Sequence, residues 1–492
     1  MRPIFESLAS AAGILALAAS ASAQVAPWTQ LTLPANPTAR ERASTATDGT
    51  LLYTYGGQSG TSTSSYGNLW SFNGTTWTQV TATGASCGAR CSPVMAWDTA
   101  RGKLVVFSGK GAAGVWANYE STTWEWDSVN GWVPLAPATN PDARWLTGGG
   151  VYVPGVGVVF HGGSAWNSTT SAAYTSNETW AYNGTDWTLL TSTGPAIYNG
   201  ALVYRSATND LIYFGGVLGT GTGSGSDTYR YDVATNTWSQ IVTATLPTSD
   251  VAGTTGPGLN AASAYYHPIT HKVVIHGGQG NHGTASASKL TWEFNGVDWT
   301  NVSDAASSSI RNSSAQWVTA LGKAYSSCGN SANAIKNWTL QHDVPIPPVT
   351  TYCTAGTSTN GCVPAISATG TASASSTSGF TISVANVEGQ KQGLLFYGVS
   401  GQASAPWGVG GTSFLCVKSP TQRMGTQSSG GTTGACDGTI AQDWLAYVAA
   451  NPSALGAPFS AGAVVNAQAW YRDPPAVKTT NLSDGLEFTL LP

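Results

Sequence analysis

The sequence predicts an all-β protein built from six similar sheets, and a repeat of about 50 residues is the main evidence for this fold. A tryptophan marks a fixed place in each unit. Successive copies lie 49, 55, 55, 51 and 61 residues apart, at Trp28, Trp77, Trp132, Trp187, Trp238 and Trp299. A period of this length is typical of one four-stranded blade of a β-propeller. We therefore expect a six-bladed β-propeller, followed by a smaller, β-sandwich-like C-terminal domain.

Five of the six units contain an almost continuously apolar run that ends in one or two glycines. Five such runs occur, at residues 51–57, 104–109, 158–163, 211–216 and 273–278. A strand of this kind must be covered on both faces, as it is between two neighbouring sheets. The glycines allow positive φ and a close approach of the next sheet. Asn-Gly pairs between aromatic segments predict tight hairpins at Asn73-Gly74, Asn183-Gly184 and Asn295-Gly296.

The sixth unit is degenerate, and its missing strand indicates how the set of sheets closes. Counting 18 residues from Arg311 places Gly329 at the first glycine position, so Cys328 stands where other units have Tyr, Phe or His. One aromatic strand follows, around Trp338, before the proline-rich segment 345–348. The strand at Trp28 has no unit of its own, so we expect it to supply the fourth strand. Pairing the two ends of the repeat region would leave no open sheet edge.

These repeats resemble the kelch family of β-propellers over residues 25–343. The family includes protein-binding scaffolds, galactose-oxidase-like copper enzymes and sialic-acid mutarotases, so the resemblance implies a fold but no single function. The copper enzymes need two Tyr and two His, with a Cys beside one Tyr. Tyr352-Cys353 is such a neighbouring pair, but it lies outside the repeats. Copper chemistry is therefore disfavoured, and we expect no cofactor.

Composition changes along the chain divide it into four parts. Residues 1–23 have the pattern of a secretory signal peptide, with Arg2 at the start, an apolar stretch over 11–19 and the small residues Ala21-Ser22-Ala23 at the end. Residues 24–343 hold the repeats. Residues 344–378 form a Pro/Ser/Thr/Gly-rich linker with a small disulfide loop, and residues 379–492 form a β-rich C-terminal domain. The protein is therefore expected outside the cytoplasm, whether extracellular, on the cell surface or in the periplasm.

The C-terminal domain shows short β-like runs and one helical segment. The runs lie at 380–384, 393–397, 412–417, 463–471 and 486–490, and the helix is expected within 440–450. The stretches 389–398, 467–474 and 480–488 resemble a C-terminal domain found at the end of many secreted bacterial multidomain proteins. That resemblance implies a role in attachment, export or stability and says nothing about a substrate.

Charge argues against two classes of partner. Only 9% of residues are charged, and the formal net charge is −4. A nucleic-acid-binding protein needs a basic face, and membrane attachment through charge needs a polybasic segment. We expect neither partner, and no membrane span in the mature chain.

Six of the seven cysteines fall into close pairs along the sequence. Because exported proteins form disulfides, we expect bonds within the pairs Cys87/Cys91, Cys353/Cys362 and Cys416/Cys436. Their spacing does not match a zinc site. Cys328 is left over and is expected to be a buried free thiol.

Arginines recur at the start of the first strand in four units. They are Arg40, Arg90, Arg144 and Arg311. Together they would form a ring of guanidinium groups at one mouth of the channel, suited to an anionic ligand such as a carboxylate sugar or an acidic peptide. The alternative is that they bond the carbonyl groups of neighbouring blades.

Histidines and loop aromatics provide the remaining candidate site residues. His161 and His276 occupy the same position, just before the glycine pair, in the third and fifth units. They could converge on one metal ion or bind a ligand, or fill an inter-blade packing position that Tyr or Phe fills elsewhere. Trp116, Tyr119 and Trp166 lie in long loops, where aromatic side chains could stack on sugars.

The preferred hypothesis is a secreted, non-catalytic propeller that binds a glycan or a protein at its loop-rich face. The alternative is a carbohydrate-active enzyme of the mutarotase or lyase type, with Arg and His at the channel mouth. Gly-x-Ser-x-Gly and HExxH motifs are absent from the sequence, and no spacing pairs two carboxylates. Convergence of the candidate Arg and His residues on one cavity would favour the enzyme.

Overall fold

The computed structural model describes residues 27–491 apart from 61–63, 82–83, 112–118, 147, 220–222, 252–256, 281–285, 344–348 and 461. The expected signal peptide, residues 1–23, lies outside the described residues. The fold is all-β and consists of many small antiparallel sheets. Within the described part of the chain, no helix is long and apolar enough to cross a membrane.

Six four-stranded sheets account for most strands between Trp28 and His342. In the first five sheets each strand pairs antiparallel with the next strand of the same sheet along the chain. The first sheet contains Glu41–Thr47, Leu52–Gln58, Leu69–Phe72 and Trp77–Gln79; the second contains Val94–Asp98, Lys103–Phe107, Thr123–Asp127 and Gly131–Leu135. The third contains Val151–Val153, Gly157–His161, Thr179–Tyr182 and Trp187–Thr191; the fourth contains Ala201–Arg205, Asp210–Phe214, Thr228–Asp232 and Thr237–Ile241. The fifth contains Ser263–His267, Lys272–His276, Thr291–Phe294 and Trp299–Asn301.

The sixth sheet combines both ends of the repeat region. Its first three strands are Ser314–Val318, Lys323–Ser331 and Ala334–His342, and its fourth is the N-terminal strand Trp28–Gln30. Trp28 pairs with His342 in the antiparallel register. The pairing confirms the prediction that the strand at Trp28 completes this sheet.

Short elements lie between these sheets. Two of these elements are two-stranded sheets, Arg90–Cys91 with Lys110–Gly111 and Ile197–Tyr198 with Val217–Leu218. A third is three-stranded, with Ser164–Asn167 between Arg144–Trp145 and Ala172–Thr175. One turn of 3₁₀ helix spans Thr319–Leu321. The small sheets extend the six sheets at the end from which the long loops start, whereas the 3₁₀ turn connects the first two strands of the sixth sheet at the opposite end.

Neighbouring sheets are joined at the glycine pairs. The second glycine donates its backbone N–H to the residue that starts the next unit: Gly109 to Arg144 (2.9 Å), Gly163 to Ile197 (2.8 Å), Gly216 to Leu259 (2.9 Å), Gly278 to Ile310 (2.8 Å) and Gly329 to Arg40 (2.8 Å). The last of these bonds joins the sixth sheet to the first. First strands also contact one another in the same order, including the first strand of the sixth sheet and that of the first.

These bonds correct the expected register of the sixth unit by one residue. Gly329 occupies the second glycine position, and Cys328, at φ 60°, occupies the first. Ser327 faces Thr339, as His161 faces Thr179 in the third sheet, so Ser327 takes the place expected for Cys328. Counting from Arg311 was misleading because the sixth unit lacks a glycine pair to anchor the count.

The repeated tryptophans join the sheets near their outer edges. In four of them the indole N–H donates to a threonine hydroxyl on the third strand of the preceding sheet: Trp77 to Thr339 (2.7 Å), Trp187 to Thr123 (2.9 Å), Trp238 to Thr179 (2.8 Å) and Trp299 to Thr228 (2.8 Å). Trp28 is held differently, stacked between His276 (4.9 Å between ring centres) and His342 (4.8 Å). In four of the six sheets the repeated tryptophan thus makes the same contact with the preceding sheet.

The C-terminal region forms three further sheets. A six-stranded sheet contains Thr350–Tyr352, Gln392–Gly398, Thr421–Arg423, Gln427–Ser428, Val464–Arg472 and Thr480–Thr489; a three-stranded sheet contains Ala365–Gly370, Phe380–Val387 and Gly438–Asp443; a hairpin contains Gln402–Pro406 and Phe414–Val417. The helix is shorter than expected, Trp444–Ala450, because residues 438–443 continue the sheet up to Asp443, which caps the helix by accepting the Ala446 N–H. A 3₁₀ turn spans Val477–Thr479.

The C-terminal region contacts the repeat region near the sheet that joins both ends of the repeats. Leu491 packs against the hydrophobic cluster that contains Trp28 and Tyr265. Gly462 lies against the backbone of Pro268, in the turn between the first two strands of the fifth sheet.

The predicted disulfide pairing is wrong. Cys353 bonds Cys416 and Cys362 bonds Cys436, so both disulfides lie in the C-terminal region and connect segments 63 and 74 residues apart. The cysteines are neighbours in space because the strands that carry them pack together, which their spacing in the sequence does not reveal.

Cys87 and Cys91 are free, contrary to the prediction, and both are buried. Cys87 packs in the cluster of Tyr55 and Trp132, whereas Cys91 packs with Trp145. Their side chains therefore enter different clusters. Cys328 is a buried free thiol, as predicted, and burial raises its pKa.

Candidate ligand-binding channel

A cavity of about 380 Å³ lies between the six sheets and is lined by their first strands. Small residues form much of its wall, including Ala96, Gly150, Ala201 and Ala262. Among the described residues that line it, Arg42 is the only charged one.

The two ends of this cavity are different because of the strand directions. First strands begin, and second strands end, at the same end of the cavity, since the two are antiparallel. The long loops between second and third strands start there, and we call this end the loop face. Short turns between first and second strands lie at the opposite end, the turn face.

Six residues with left-handed backbone surround the loop-face end. They are Arg42, Ser92, Leu146, Asn199, Ala261 and Asn312, with φ between 47° and 60°, and all six line the cavity. We call them the loop-face collar. Backbone N–H groups in the collar donate to the preceding member: Arg42 to Asn312 (2.8 Å), Ser92 to Arg42 (2.8 Å), Asn199 to Leu146 (2.7 Å), Ala261 to Asn199 (2.8 Å) and Asn312 to Ala261 (2.9 Å).

Left-handed backbone costs a non-glycine residue roughly 1–3 kcal/mol. The repeated hydrogen bonds offset this cost in the collar. Because these bonds use only the backbone, the six side chains are free to differ, and five residue types occur among them.

Amide and carboxylate side chains form a buried polar layer beside the collar. Glu41 accepts hydrogen bonds from Gln58 (3.1 Å) and from the collar residue Asn312 (3.0 Å). On the other side, Asn260 accepts from Asn199 (3.0 Å) and from Gln279 (3.0 Å). The layer fixes the side chains of two collar residues, so this end of the cavity is pre-organised.

Two arginines and a lysine give this end its positive charge. The guanidinium of Arg42 lies 5.1 Å from the ring centre of Trp145, and the ammonium of Lys110 lies 4.9 Å from the same ring. Arg311 donates to Gln279 (2.6 Å). The Nε atoms of Arg42 and Arg311 are buried and have no hydrogen-bond partner among the described residues.

Arg311 lies within electrostatic range of both Glu41 and Arg42. Burial lowers the pKa of Arg311; Glu41 raises it and the charge of Arg42 lowers it further. One carboxylate therefore faces two guanidinium groups, and a negatively charged ligand group would restore the balance.

The other three candidate arginines are structural. Each donates to the carbonyl at the first glycine position of its own sheet: Arg40 to Gly56 (2.9 Å), Arg90 to Ser108 (3.1 Å) and Arg144 to Gly162 (3.2 Å). All three are buried. Neither these three nor Arg311 belongs to the described lining of the cavity.

Arg311 is not equivalent to the other three arginines. The glycine bonds place Ile310 at the position of Arg40 and Arg144, so Arg311 is one residue further along. Its side chain therefore lies beside the collar instead of bonding a carbonyl of its own sheet. The four arginines do not form the expected ring.

His161 and His276 lie between sheets, outside the described cavity lining. Each is fully buried; His161 bonds Thr179 (2.9 Å) and the Pro195 carbonyl (3.0 Å), and His276 bonds Thr291 (2.9 Å) and the Ser308 carbonyl (2.9 Å). Burial lowers the pKa of each to about 3. They do not converge on one ligand.

Two of the loop aromatics, Tyr119 and Trp166, lie beside the loop-face collar near Leu146. Tyr119 packs against the cluster of Trp145 and Leu146, and its ring stacks on Trp166 with 5.7 Å between ring centres. Both rings are half-buried. Trp116 lies outside the described residues.

Sequence reasoning missed Arg42, Lys110, Trp145 and the collar amides. A collar position accepts any side chain, so no repeated residue type marks it. The signal was the polar segment Arg40–Arg42 at the start of an otherwise apolar repeat, where only Arg40 was noticed.

Among the residues that the structure describes, no group of three or more His, Cys, Asp or Glu side chains could hold a metal ion. Comparison with protein-family models and with curated proteins gives no match to this chain.

Proposed function

We propose that this chain is a secreted, non-catalytic binding protein of the kelch type, whose six sheets form a closed six-bladed propeller. Its loop-face collar would bind a glycan that carries an acidic group. The C-terminal region would serve attachment, export or stability.

Bonds between the sixth and first sheets support the closed propeller. Gly329 donates to Arg40, and Trp77 of the first sheet donates to Thr339 of the sixth. These are the same two bonds that join other neighbouring sheets. The two disulfides fit an exported protein, since disulfides persist in oxidising compartments.

The pair Arg42 and Arg311 is the observation that carries the ligand proposal. Both guanidinium groups have a buried Nε that has no hydrogen-bond partner in the described part of the chain, and amide groups lie beside them. Guanidinium groups suit a carboxylate, amides suit sugar hydroxyls, and the half-buried Tyr119 and Trp166 suit the apolar face of a sugar ring. A glycan containing a uronic acid or a related acidic sugar has all three features.

The enzyme alternative has less support because its residues are occupied elsewhere. His161 and His276 are bonded between sheets, and three of the four candidate arginines bond backbone carbonyls. A mutarotase or lyase needs a general acid or base within reach of its substrate. The described lining of the cavity contains Arg42 as its one charged residue, and guanidinium is a poor acid-base group.

A glycan array read for both retention and turnover tests this proposal. Wild-type protein should retain glycans with a carboxylated sugar over their neutral counterparts. Arg42→Gln and Arg311→Gln should each weaken that binding roughly 10- to 100-fold, as expected for loss of a charged hydrogen bond. Arg423→Gln, on an exposed strand end in the C-terminal region, is the matched control and should bind like wild type.

Three results would contradict the proposal. Retention of no acidic glycan would remove the ligand class, and retention of acidic peptides instead would indicate a protein ligand. Conversion of a bound sugar would favour the enzyme.

A further inference from the structure

The turn-face end of the cavity carries a second set of equivalent residues. They stand opposite the start of the second strand in each sheet and are Thr47, Trp97, Tyr152, Tyr204, Tyr266 and Trp317. All six line the cavity. We call them the turn-face collar. Five of the six positions are aromatic.

Contacts within and between the sheets fix four of the five aromatic side chains of this collar. Trp97 stacks on Tyr53 of the preceding sheet, with 5.2 Å between ring centres and 8° between planes. Trp317 packs on His267 of its preceding sheet at 4.3 Å. The hydroxyl groups of Tyr204 and Tyr266 are bonded in their own turns, to Asn209 (2.9 Å) and His271 (2.9 Å).

Packing between sheets does not require an aromatic residue at this position. The first sheet has Thr47 there and still contacts its neighbours on both sides. Trp97, Tyr152, Tyr204 and Tyr266 are only half-buried, although they stand where the cavity opens. Fixed, partly exposed aromatic surfaces around an opening are what a ligand site provides.

We propose that the turn-face collar is a second binding site, which takes one neutral pyranose unit of a saccharide. The described lining at this end has no ionised side chain, so it offers nothing to balance a charged ligand. Its aromatic surfaces can pack on the C–H faces of a sugar ring. Hydroxyl and amide groups of Thr45, Ser314 and Gln316 lie further in along the same strands and can meet the sugar hydroxyls.

Small residues beyond the collar leave space for the ligand. Gly150, Ala201 and Ala262 line the middle of the cavity, whose volume is about 380 Å³. Neither the acidic ligand nor Arg42 enters this argument, so the site stands or falls independently of the loop-face proposal.

Titration with neutral disaccharides tests the second site. Cellobiose, maltose and N,N′-diacetylchitobiose would be added to the full chain, and binding followed by saturation-transfer NMR and calorimetry. At least one should bind saturably. A double variant Tyr204→Thr/Tyr266→Thr, which copies the residue already present in the first sheet, should weaken that binding about tenfold or more.

Matched variants separate this site from structural damage and from the loop face. Arg42→Gln should leave disaccharide binding unchanged, and Tyr204→Thr/Tyr266→Thr should leave acidic-glycan binding unchanged. If the threonine variant does not fold, Tyr204→Leu/Tyr266→Leu keeps the packing volume and still removes the aromatic surfaces.

The proposal is overturned if none of the three disaccharides binds saturably. It is also overturned if binding survives in a folded collar variant, or is lost in Arg42→Gln.

Discussion

The two ends of the channel are built in opposite ways from the same repeat. At the loop face, backbone hydrogen bonds join six residues of different kinds, from Arg42 to Ala261. At the turn face, similar side chains recur and pack, as Trp97 does on Tyr53. Backbone bonding leaves side chains free to vary, whereas side-chain packing restricts them. The loop face is therefore the end where the side chains can be adapted to a particular ligand.

The largest expected effect on stability comes from disturbing the close backbone contact between neighbouring sheets at the loop face. Gly277 has φ +73°, and a Cβ there would overlap the carbonyl oxygen of Ile310 in the next sheet. Gly277→Ala should lower the free energy of unfolding by about 3 kcal/mol or more, because steric overlap adds to left-handed strain. Urea denaturation followed by circular dichroism measures it.

Gly102, in a turn-face turn, is the matched control. It has φ +64° but nothing within 4 Å of an added Cβ. Gly102→Ala should cost only about 1 kcal/mol, the left-handed strain alone. Equal costs for the two variants would mean that the sheets do not approach closely at the glycine pair.

The same contrast explains what the sequence could predict. The glycine pairs could be recognised in the sequence because a left-handed residue that lies against a carbonyl of the next sheet must be small. The repeated tryptophans could be recognised because a position that donates a hydrogen bond to a threonine of the preceding sheet, as Trp187 does to Thr123, admits few residue types. The positions of the loop-face collar could not be recognised in this way, because their backbone hydrogen bonds form equally well with Arg42 and with Ala261.

Two predictions were wrong where the sequence lacks the repeated glycines: the register of the sixth unit and the pairing of the cysteines. The sixth unit has Cys328 in place of a first glycine, so the count slipped by one and placed Arg311 with Arg40. Cysteine spacing could not show that Cys353 lies beside Cys416, because that contact depends on how distant strands pack.

Acid should weaken the loop-face end, where His161 and His276 are buried at the ends of second strands. Their pKa is lowered to about 3 by burial, against 6.5 in an unfolded chain. As the pH falls below 6.5 the unfolded chain binds protons that the folded chain does not. Each histidine should therefore remove about 1.4 kcal/mol of stability per pH unit, until the pH reaches about 3.

His161→Phe tests this pH dependence. Phe107 and Phe214 fill the same position in neighbouring sheets, so the ring can be accommodated. Between pH 6.5 and 4, the free energy of unfolding of the variant should fall with acid less steeply than that of wild type. The difference between the two slopes should be about 1.4 kcal/mol per pH unit. Urea midpoints at several pH values give the slope. An unchanged slope would show that His161 takes up its proton in the folded chain.

The smallest expected effect on stability comes from the hydrogen bonds between tryptophan and threonine near the outer edges of the sheets. These bonds also lie towards the loop face. Trp187 donates to Thr123, which stands opposite Phe107 at the end of a second strand. Trp132 is also buried, but the residue at the Thr123 position in its preceding sheet is Leu69, whose side chain cannot accept a hydrogen bond. Trp187→Phe should therefore cost about 1 kcal/mol more than Trp132→Phe, the worth of one buried hydrogen bond.

A double-mutant cycle isolates that bond from the packing of the indole. Trp187→Phe and Thr123→Val, measured singly and together by urea denaturation, should give a coupling energy of about 1 kcal/mol. A coupling near zero would mean that the tryptophan is fixed in the repeat by its packing alone. The loop face would then depend on the glycine bonds and the collar near the channel, with no polar contribution from the outer edge.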